Sequence, residues 1–422
     1  MRVVIGSMTG TSLDGIDTAL TQIEGTGLDM RVRLVRHCAD ELGAIAPALR
    51  RAADGTPMTA GDLGLLAMQL GERLAETAAA IAPDLGAVDL VAVHGQTIVH
   101  RPPVSWQLVN PAPIAARLAC PVVFDLRQAD LAAGGQGAPI TPIADWVIFR
   151  AAGVRRAIVN LGGFCNVTIL PAAETPAGLD RIKGFDVCAC NRVLDDAARR
   201  ALGAPYDADG RAALAGTSDP GLVAALRKLL ERQRAAGRSL GTGDEARVTG
   251  EGRADQDMLA SAVEAVGGCI ADALSEHEVD EIVLAGGGAH NRALVEAIGS
   301  ATHGQRAARG TPTGVISRVP RAACPPVRLS SELGVAVAAR EAMAMAVLGA
   351  LCADGIPITL PQVTGCRSPA PVAGSWCLPG AVRSWPSGHS STLPLADARP
   401  GDPTRLASSP SARRRGHGIA GR

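Results

Sequence analysis

The stretch RVVIGSMTGTSLDGIDTALTQI, residues 2–23, contains two apolar runs separated by a turn rich in glycine, serine, threonine and aspartate. Residues 3–5 are all apolar, and residues 16–23 alternate in part between apolar and polar side chains. Runs of this kind on either side of such a turn are typical of a β-hairpin. The sequence therefore predicts a hairpin whose tip is small and polar.

A second stretch, RAIVNLGGFCNVTIL at residues 156–170, repeats this design, with runs at 157–160 and 167–170 around Gly162 and Gly163. Further strands and helices are predicted after each hairpin: strands over 88–93 and 122–124, helices over 63–81, 191–202 and 254–274, and a strand, triple glycine and helix over 279–298. We therefore predict two similar α/β halves that face each other, at residues 1–152 and 153–372.

Two segments depart from this pattern. Residues 373–422 are rich in proline, serine, glycine and arginine and lack apolar periodicity, which predicts a disordered tail. Residues 301–326 have the composition of a long surface insertion. We expect neither segment to take part in catalysis.

Composition limits the classes of partner. The 422 residues are 47% hydrophobic, which is ample for two domains, and 41 basic residues balance 41 acidic ones. No global field favours nucleic acid or an anionic membrane, so we expect small-molecule partners. Neither a signal peptide nor an apolar run of the ~20 residues needed for a membrane helix is evident, which favours a cytoplasmic protein. A homodimer is considered, although the sequence carries no evidence on oligomeric state.

The ten cysteines are scattered and form no C-x2-C pair, so neither a disulfide framework nor a zinc ribbon is supported. Cys188 and Cys190 lie close together in KGFDVCACN, residues 183–191, but no further thiol or histidine lies nearby at ligand spacing. We expect them to pack as small apolar residues.

The first turn has the composition of a phosphate-binding loop. Glycines let backbone N–H groups approach phosphate closely, and Gly6, Gly10 and Gly15 occur here beside hydroxyls and Asp17. An ordinary hairpin turn is the alternative. The sequence lacks a Walker P-loop, and the turn leads into a strand rather than the helix of a Rossmann site. Two such hairpins and the AGGGAHN turn resemble the arrangement of the actin, hexokinase and Hsp70 superfamily.

A closer resemblance rests on eight motifs between Arg2 and about Gly365, which occur in the same order as in anhydro-N-acetylmuramic acid kinases. They are GSMTGTSLDGID, VHGQTIVHRP, DLRQADLAAGGQGAPITP, NLGGFCNVT, GFDVCACN, AGGGAHNRAL, EAMAMAVLGA and PQVTG. The resemblance implies two RNase H-like domains of the actin/hexokinase type around an inter-domain cleft. It also implies a kinase that uses ATP and Mg2+ to convert 1,6-anhydro-N-acetylmuramate and water into N-acetylmuramate 6-phosphate during peptidoglycan recycling.

The resemblance assigns roles by position. Asp186 matches the aspartate base that activates water, although by its own sequence context it could equally be the N-cap of the next helix. The residues matched to ATP are Gly10, Thr11, Ser12, Leu13, Asp14, Gly15, Ile16, Asp17, Gly162, Gly163, Gly286, Gly287, Gly288 and Asn291. The residues matched to the sugar are His94, Gln96, Asp125, Arg127, Asp130 and Glu341.

Alternatives stay open for several of these residues. His94 and Gln96 could bond buried backbone, Asp125 and Arg127 could pair with each other, and Glu341 opens a helix that is otherwise core. The family commonly has T-G-P after the aspartate, where this chain has Val187, Cys188 and Ala189. This chain also lacks the Arg and Glu of the family pattern, and has Thr242 and Gly243 in their place. A related kinase with another sugar, or an ATP-binding regulatory protein without turnover, are therefore the alternative functions.

Overall fold

The structure is a computed structural model that describes residues 1–10, 13, 15–82, 87–173, 175–235, 240, 244, 254–309 and 324–380, with the backbone alone for 305–309. The strands of the described residues, in chain order, are β1 Arg2–Thr9, β2 Ile16–Glu24, β3 Arg31–Asp40, β4 Leu90–Val93, β5 Gln96–Arg101, β6 Val104–Leu108, β7 Val122–Phe124, β8 Arg156–Leu161, β9 Phe164–Leu170, β10 Lys183–Ala189, β11 Glu281–Ala285, β12 Val327–Leu329 and β13 Ser375–Cys377.

The α-helices of the same residues are α1 Ala46–Ala53, α2 Ala60–Ile81, α3 Ala112–Leu118, α4 Gln128–Ala132, α5 Pro142–Phe149, α6 Asn191–Leu202, α7 Arg211–Ala215, α8 Pro220–Ala235, α9 Asp255–Ser275, α10 Arg292–Arg309, α11 Arg340–Ala353 and α12 Pro361–Thr364. Both predicted hairpins form, as β1–β2 and β8–β9. The three predicted helices correspond to α2, α6 and α9.

Two sheets share one topology. The first has the order β13-β7-β4-β1-β2-β3 and the second the order β10-β9-β8-β11-β12. In each sheet the first three strands form an antiparallel meander, and the first strand also pairs in parallel with the fourth, which pairs in parallel with the fifth. This 3-2-1-4-5 arrangement, present twice, confirms the prediction of two RNase H-like α/β halves.

Helices cover both faces of each sheet. One core packs α2 and α3 on the first sheet, and another packs α6, α8, α9 and α10 on the second. A third core contains the inner faces of both sheets together with α5 and α11. Helix α11 and strand β13 follow the predicted boundary at 152/153 in the chain, but both pack on the first sheet. The boundary therefore does not divide the chain into two segments that pack separately. Residues 1–386 form one compact unit, and a division into two domains stays a prediction.

The contact between β1 and α11 depends on Gly6. A Cβ placed at Gly6 would lie 1.9 Å from the carbonyl oxygen of Ala342 and 2.4 Å from the backbone nitrogen of Ala346. Atoms at such distances clash, so only glycine lets the helix lie this close to the strand. Gly6 lies inside β1 rather than in the hairpin turn, and its prediction as a phosphate-loop glycine is wrong.

We expect Gly6→Ala to lower the free energy of unfolding by about 1–3 kcal/mol, because α11 must move away from β1 to admit one methyl group. Urea unfolding followed by circular dichroism measures this change. Gly64→Ala is the matched control, since Gly64 is an exposed residue of α2 and a Cβ at that position would meet no atom within 4 Å; we expect it to stabilise the chain by about 0.5–1 kcal/mol. Equal effects of the two substitutions would contradict the proposed close contact.

A buried ion pair joins α5 to α11 between the sheets. Asp145 and Arg340 are both 0% exposed. Arg340 Nε donates to Asp145 Oδ1 at 2.8 Å, Arg340 Nη2 donates to Asp145 Oδ2, and the hydroxyl of Thr168 donates to Asp145 Oδ2 at 2.6 Å. Each charge is thus compensated inside the protein, and neither could lose its partner without a large cost.

Helix α9 is long and apolar enough to cross a membrane by length and average composition alone, although Glu264 and Asp272 interrupt its apolar run. It packs instead in the core of the second half, where 78% of its most apolar window is buried. Its apolar character is explained by that packing.

Two further predictions need correction. Residues 301–309 continue α10 rather than starting an insertion, and residues 310–323 lie outside the described part of the chain. The predicted tail begins too early, because residues 375–377 form β13, which pairs antiparallel with β7 at the edge of the first sheet. Residues 381–422 lie outside the described residues.

Candidate active site

A cavity of about 870 Å3 lies between the two halves, and the tips of both predicted phosphate hairpins reach its wall. Cavities of this size are typical of sites that hold small molecules. From the first hairpin, Gly10, Gly15, Ile16 and Asp17 line it. Leu13 is buried instead of lining the cavity, with φ at +57°, and its N–H donates to Gly10 O at 3.2 Å. Thr11, Ser12 and Asp14 lie outside the described residues.

The second hairpin reaches the cavity through Gly162 and Gly163. Gly163 O accepts hydrogen bonds from the N–H groups of Cys190 and Arg192, at 2.9 and 3.3 Å, and Gly162 O accepts one from Asn191 at 3.0 Å. These bonds use backbone donors at the start of α6 and hold the hairpin tip against that helix. The tip is therefore a rigid part of the cavity wall.

The triple-glycine turn divides between two roles. Gly286 and Gly287 line the cavity, and Gly286 has φ at +85°, which favours glycine. Gly288 packs instead against Asn191, whose Oδ1 would lie 2.6 Å from a Cβ there. Asn291 accepts a hydrogen bond from the N–H of Leu294 at 3.1 Å and so caps α10. Of the four residues matched to the adenosine turn, Gly286 and Gly287 line the cavity, and Gly288 and Asn291 do not.

Asp186 lies on β10 and lines the cavity. Its Oδ2 accepts a hydrogen bond from the N–H of Leu240 at 2.7 Å. The N-cap alternative is wrong, because α6 begins at Asn191, five positions later, and its N-cap residue is Cys190. Burial raises the pKa of Asp186 to about 6, although the Leu240 hydrogen bond and the charge of Arg127 oppose this shift. A carboxylate with such a pKa is suited to accept a proton near neutral pH.

Arg127 and His94 form a buried cluster in the cavity wall. Arg127 donates to His94 Nε2 from Nε at 3.1 Å and from Nη2 at 2.8 Å, and from Nη1 to Gly137 O at 2.7 Å. His94 Nδ1 lies 2.9 Å from Gly95 O, so it carries the proton and donates. Burial and Arg127 lower the pKa of His94 to about 3, which keeps the ring neutral. Burial lowers the pKa of Arg127 to about 10, while nearby Asp186 and Glu341 oppose the shift.

Three other predicted sugar residues do not line the cavity. Gln96 Nε2 donates to Thr97 O at 3.3 Å, so it bonds backbone as the alternative proposed. Asp125 has φ at +55° and accepts a hydrogen bond from the side chain of Gln128, and burial raises its pKa. The predicted pairing of Asp125 with Arg127 is wrong, because Arg127 binds His94. Asp130 is 2% exposed and accepts from Gly137 N and from Thr364 Oγ1, both at 2.7 Å. Asp130 therefore holds the loop that carries Gly137, beneath the cavity.

Glu341 lines the cavity at the start of α11, whose following residues, 342–352, are buried core, as expected. Burial raises the pKa of Glu341, and the like charge of Asp17 adds to this effect, whereas Arg340 and a hydrogen bond from Asn160 oppose it. Two carboxylates of the cavity therefore repel each other.

The cysteines of the VCACN turn belong to the core. Cys188 and Cys190 are 0% exposed and pack with Cys165 and Cys269 behind β10. Burial raises the pKa of Cys190 to about 12, so its thiol stays protonated. Their packing role agrees with the sequence prediction, and the residues that differ from the family pattern, including buried Val187, lie behind the cavity wall. Thr242 and Gly243 lie outside the described residues.

Sequence reasoning missed several polar residues of the cavity wall, among them Asn160 and His100. Asn160 is the last residue but one of β8, the first strand of the second hairpin, and bonds Glu341. A polar residue inside an otherwise apolar strand, two positions before a glycine pair, was the signal that could have identified it. His100 also lines the cavity, but an alternating strand places many side chains in this way, so no local signal singled it out.

The two RNase H-like halves, the glycine-rich tips at one cavity and the buried carboxylate define a carbohydrate kinase of the actin/hexokinase type. The family model for anhydro-N-acetylmuramic acid kinase matches residues 2–376, and the chain belongs to this family. A curated anhydro-N-acetylmuramic acid kinase from Salinibacter ruber is 36% identical over 409 residues, covering 90% of this chain and 97% of the relative. One from Streptomyces coelicolor is 34% identical, covering 86% and 91%.

A similarity to solved structures is weaker. A glucokinase of the ROK family from Streptomyces griseus, solved with glucose and AMPPNP, matches 82% of this chain and 99% of its own, at 16% identity and a TM-score of 0.36. The family assignment rests on the sequence relatives, and the fold assignment on the repeated sheet topology.

Proposed function

We propose that this protein converts 1,6-anhydro-N-acetylmuramate, water and ATP into N-acetylmuramate 6-phosphate and ADP. The observation that carries the proposal is the position of Asp186 in the wall of the cavity that the glycine-rich tips also line, in a family of anhydro-N-acetylmuramic acid kinases. Asp186 takes a proton from water, and the resulting hydroxide attacks the anomeric carbon. The bridge oxygen released from that carbon becomes the phosphoryl acceptor. One site thereby opens the anhydro bridge and phosphorylates the sugar.

Arg127 supports this chemistry by its charge. It lies close enough to Asp186 and Glu341 for both carboxylates to influence its pKa, and its bonds to His94 and Gly137 hold it in place. A fixed cation beside Asp186 favours the ionised form of the base, which is the form that accepts the proton. Neutral His94 accepts from Arg127 without adding a second positive charge.

The phosphate groups of ATP are assigned to the two hairpin tips, at Gly10 and Gly15 and at Gly162 and Gly163. Backbone N–H groups at glycine turns bind phosphate oxygens well, and a rigid turn does so without reorganising. Gly286 and Gly287 would lie against adenosine. Phosphoryl transfer needs mainly positioning and charge neutralisation, which such turns supply.

Mg2+ fits the pair of carboxylates at Asp17 and Glu341. Both line the cavity, and their mutual repulsion contributes to the raised pKa of Glu341. A divalent cation relieves such repulsion and, in kinases, is commonly bound by one or two carboxylates together with substrate phosphates. The described residues contain no group of three candidate metal ligands, so water and phosphate would complete the shell. When bound, Mg2+ neutralises charge on the transferring phosphoryl group.

The test is incubation with ATP, Mg2+ and 1,6-anhydro-N-acetylmuramate, followed by mass spectrometry. We expect a product that has gained both one water and one phosphoryl group, and none without ATP. A product with the phosphoryl group alone would contradict the coupled reaction, and no product at all would contradict the substrate. We place this reaction in the cytoplasm, where ATP is available, and a homodimer stays a prediction.

The raised pKa of Asp186 predicts how activity depends on pH. A base must be ionised to act, so activity is present above its pKa and lost as the pH falls through it. With a pKa of about 6 in the free enzyme, we expect kcat/KM at about pH 5 to be roughly a tenth of its plateau value. Measuring kcat/KM from about pH 5 to pH 8 in buffers of constant ionic strength checks this. A kcat/KM that stays flat to the lower limit, with the fold intact by circular dichroism, would exclude Asp186 as a base with this pKa.

A further inference from the structure

The strands β5 and β6 form a separate two-stranded ribbon beside the cavity, and a chain of polar side chains runs through it. His100 pairs with Ser105 across the ribbon, and Thr97 pairs with Gln107. His100 Nδ1 lies 2.9 Å from Ser105 Oγ, and Gln107 Nε2 donates to the same oxygen at 2.9 Å. Ser105 and Gln107 are each only 5% exposed. The ring of His100 is therefore held from behind by a buried network.

The other ring nitrogen of His100, Nε2, is buried and has no hydrogen-bond partner among the described residues. A buried polar atom without a partner is costly and calls for an explanation, such as a bound group that supplies the bond. His100 lines the same cavity as Asp186, so a ligand of that cavity could be the missing partner.

The network indicates which nitrogen carries the proton. Ser105 Oγ accepts a hydrogen from Gln107, and among the described residues His100 Nδ1 is the one acceptor within reach of the serine's own proton, so the hydroxyl donates to Nδ1. That assignment places the ring proton on Nε2, which then acts as a donor. Burial and the charge of Arg127 lower the pKa of His100 to about 4, so the ring is neutral and carries only this one ring proton. The matching ligand atom is an acceptor oxygen.

The positive charge near His100 indicates which kind of acceptor oxygen the ligand carries. Arg127, the cation of the cavity wall, is close enough to act on the charge of His100. A positive potential beside a neutral donor favours a carboxylate over a hydroxyl or an amide carbonyl. On the proposed substrate, the carboxylate is that of the lactyl group.

We propose that His100 is a specificity-determining residue that donates a hydrogen bond from Nε2 to the lactyl carboxylate of the sugar, with Ser105 and Gln107 holding the ring. This inference rests on the proposed function. It assigns the part of the cavity wall formed by β5 to the group that distinguishes muramate from glucosamine.

The test compares two sugars that differ in this group, 1,6-anhydro-N-acetylmuramate and 1,6-anhydro-N-acetylglucosamine, by titration calorimetry. We expect His100→Ala to weaken binding of the muramate about 10- to 100-fold, as for loss of a hydrogen bond to a charged group, and to leave binding of the glucosamine unchanged. His100→Gln keeps an N–H donor and should recover part of the loss. His303→Ala is the matched control, because His303 is an exposed histidine of α10 outside the cavity.

Each outcome of this comparison supports or contradicts the proposed hydrogen bond of His100. Unchanged muramate binding by His100→Ala would overturn the inference and leave the proposed function standing. Equal weakening of both sugars would overturn the assignment to the lactyl group. A wild-type protein that binds neither sugar would overturn the proposed function, and this inference with it. If thermal unfolding shows that His100→Ala does not fold, His100→Phe replaces it, because it keeps a ring of similar volume without a donor. Weaker binding of the muramate alone supports the donor role, and unchanged muramate binding or equal weakening of both sugars contradicts it.

Discussion

Asp186→Asn is expected to lower kcat by about 10²- to 10⁴-fold, the range typical of losing a positioned general base. Asparagine has nearly the same shape as aspartate, and its amide oxygen can still accept the hydrogen bond from the N–H of Leu240 that Asp186 accepts. It cannot take a proton from water. Steady-state kinetics with 1,6-anhydro-N-acetylmuramate measures the loss.

The same variant should bind ATP as tightly as the wild type, because Asp186 lies on β10 and the phosphates are assigned to the hairpin tips. Calorimetric titration with ATP and Mg2+ measures this affinity. Asp196→Asn is the matched control: Asp196 lies on α6, where it binds Arg200 at 2.9 Å, and it does not line the cavity. A variant at 186 that keeps more than about a tenth of wild-type kcat would contradict the role of base, since proton transfer contributes at least about 10²-fold.

Arg340→Met is expected to reduce the free energy of unfolding by about 3–5 kcal/mol, because it leaves the carboxylate of Asp145 buried without its cation. Both side chains are 0% exposed, so water cannot replace the lost partner. The hydroxyl of Thr168 still donates to Asp145, but one neutral hydrogen bond offsets little of a buried charge. Urea unfolding at neutral pH measures the change.

The double variant Arg340→Met, Asp145→Leu separates loss of the pair from loss of packing. Removing both charges leaves no uncompensated ion, so we expect it to be more stable than Arg340→Met alone by at least about 1 kcal/mol. If the double variant loses as much stability as Arg340→Met and Asp145→Leu lose when measured separately and added, the two residues do not act as a pair. As a control, Arg200→Met removes an exposed partner of Asp196 on α6 and should cost less than about 1 kcal/mol.

Much of the site could be predicted because its residues lie in local patterns. Gly162 and Gly163 stand between two apolar runs, so their place at a hairpin tip follows from periodicity, whereas the role of Asp186 was predicted from its match to the family motif. The same local argument failed for Asp130 and Asn291. Their side chains occur in motifs shared with the family, yet Asp130 binds Gly137 and Thr364, and Asn291 caps α10. Sequence position cannot show whether a polar side chain meets a ligand or the protein's own backbone.

The sequence by itself determined the two hairpins and the two similar halves, because each depends on apolar periodicity and turn composition within a short segment. It also predicted the buried cysteines, because no further ligand lies nearby at metal spacing, and its resemblance to the family indicated Asp186 as the residue to test first. Only the tertiary structure decided that α11, far along the chain, lies against β1 at Gly6, that Arg127 pairs with His94 rather than Asp125, and that Arg340 meets Asp145 between the sheets. These contacts join residues that are distant in sequence. Their partners are selected by close packing and by the need to compensate buried charge, which become defined only when the sheets and helices have assembled.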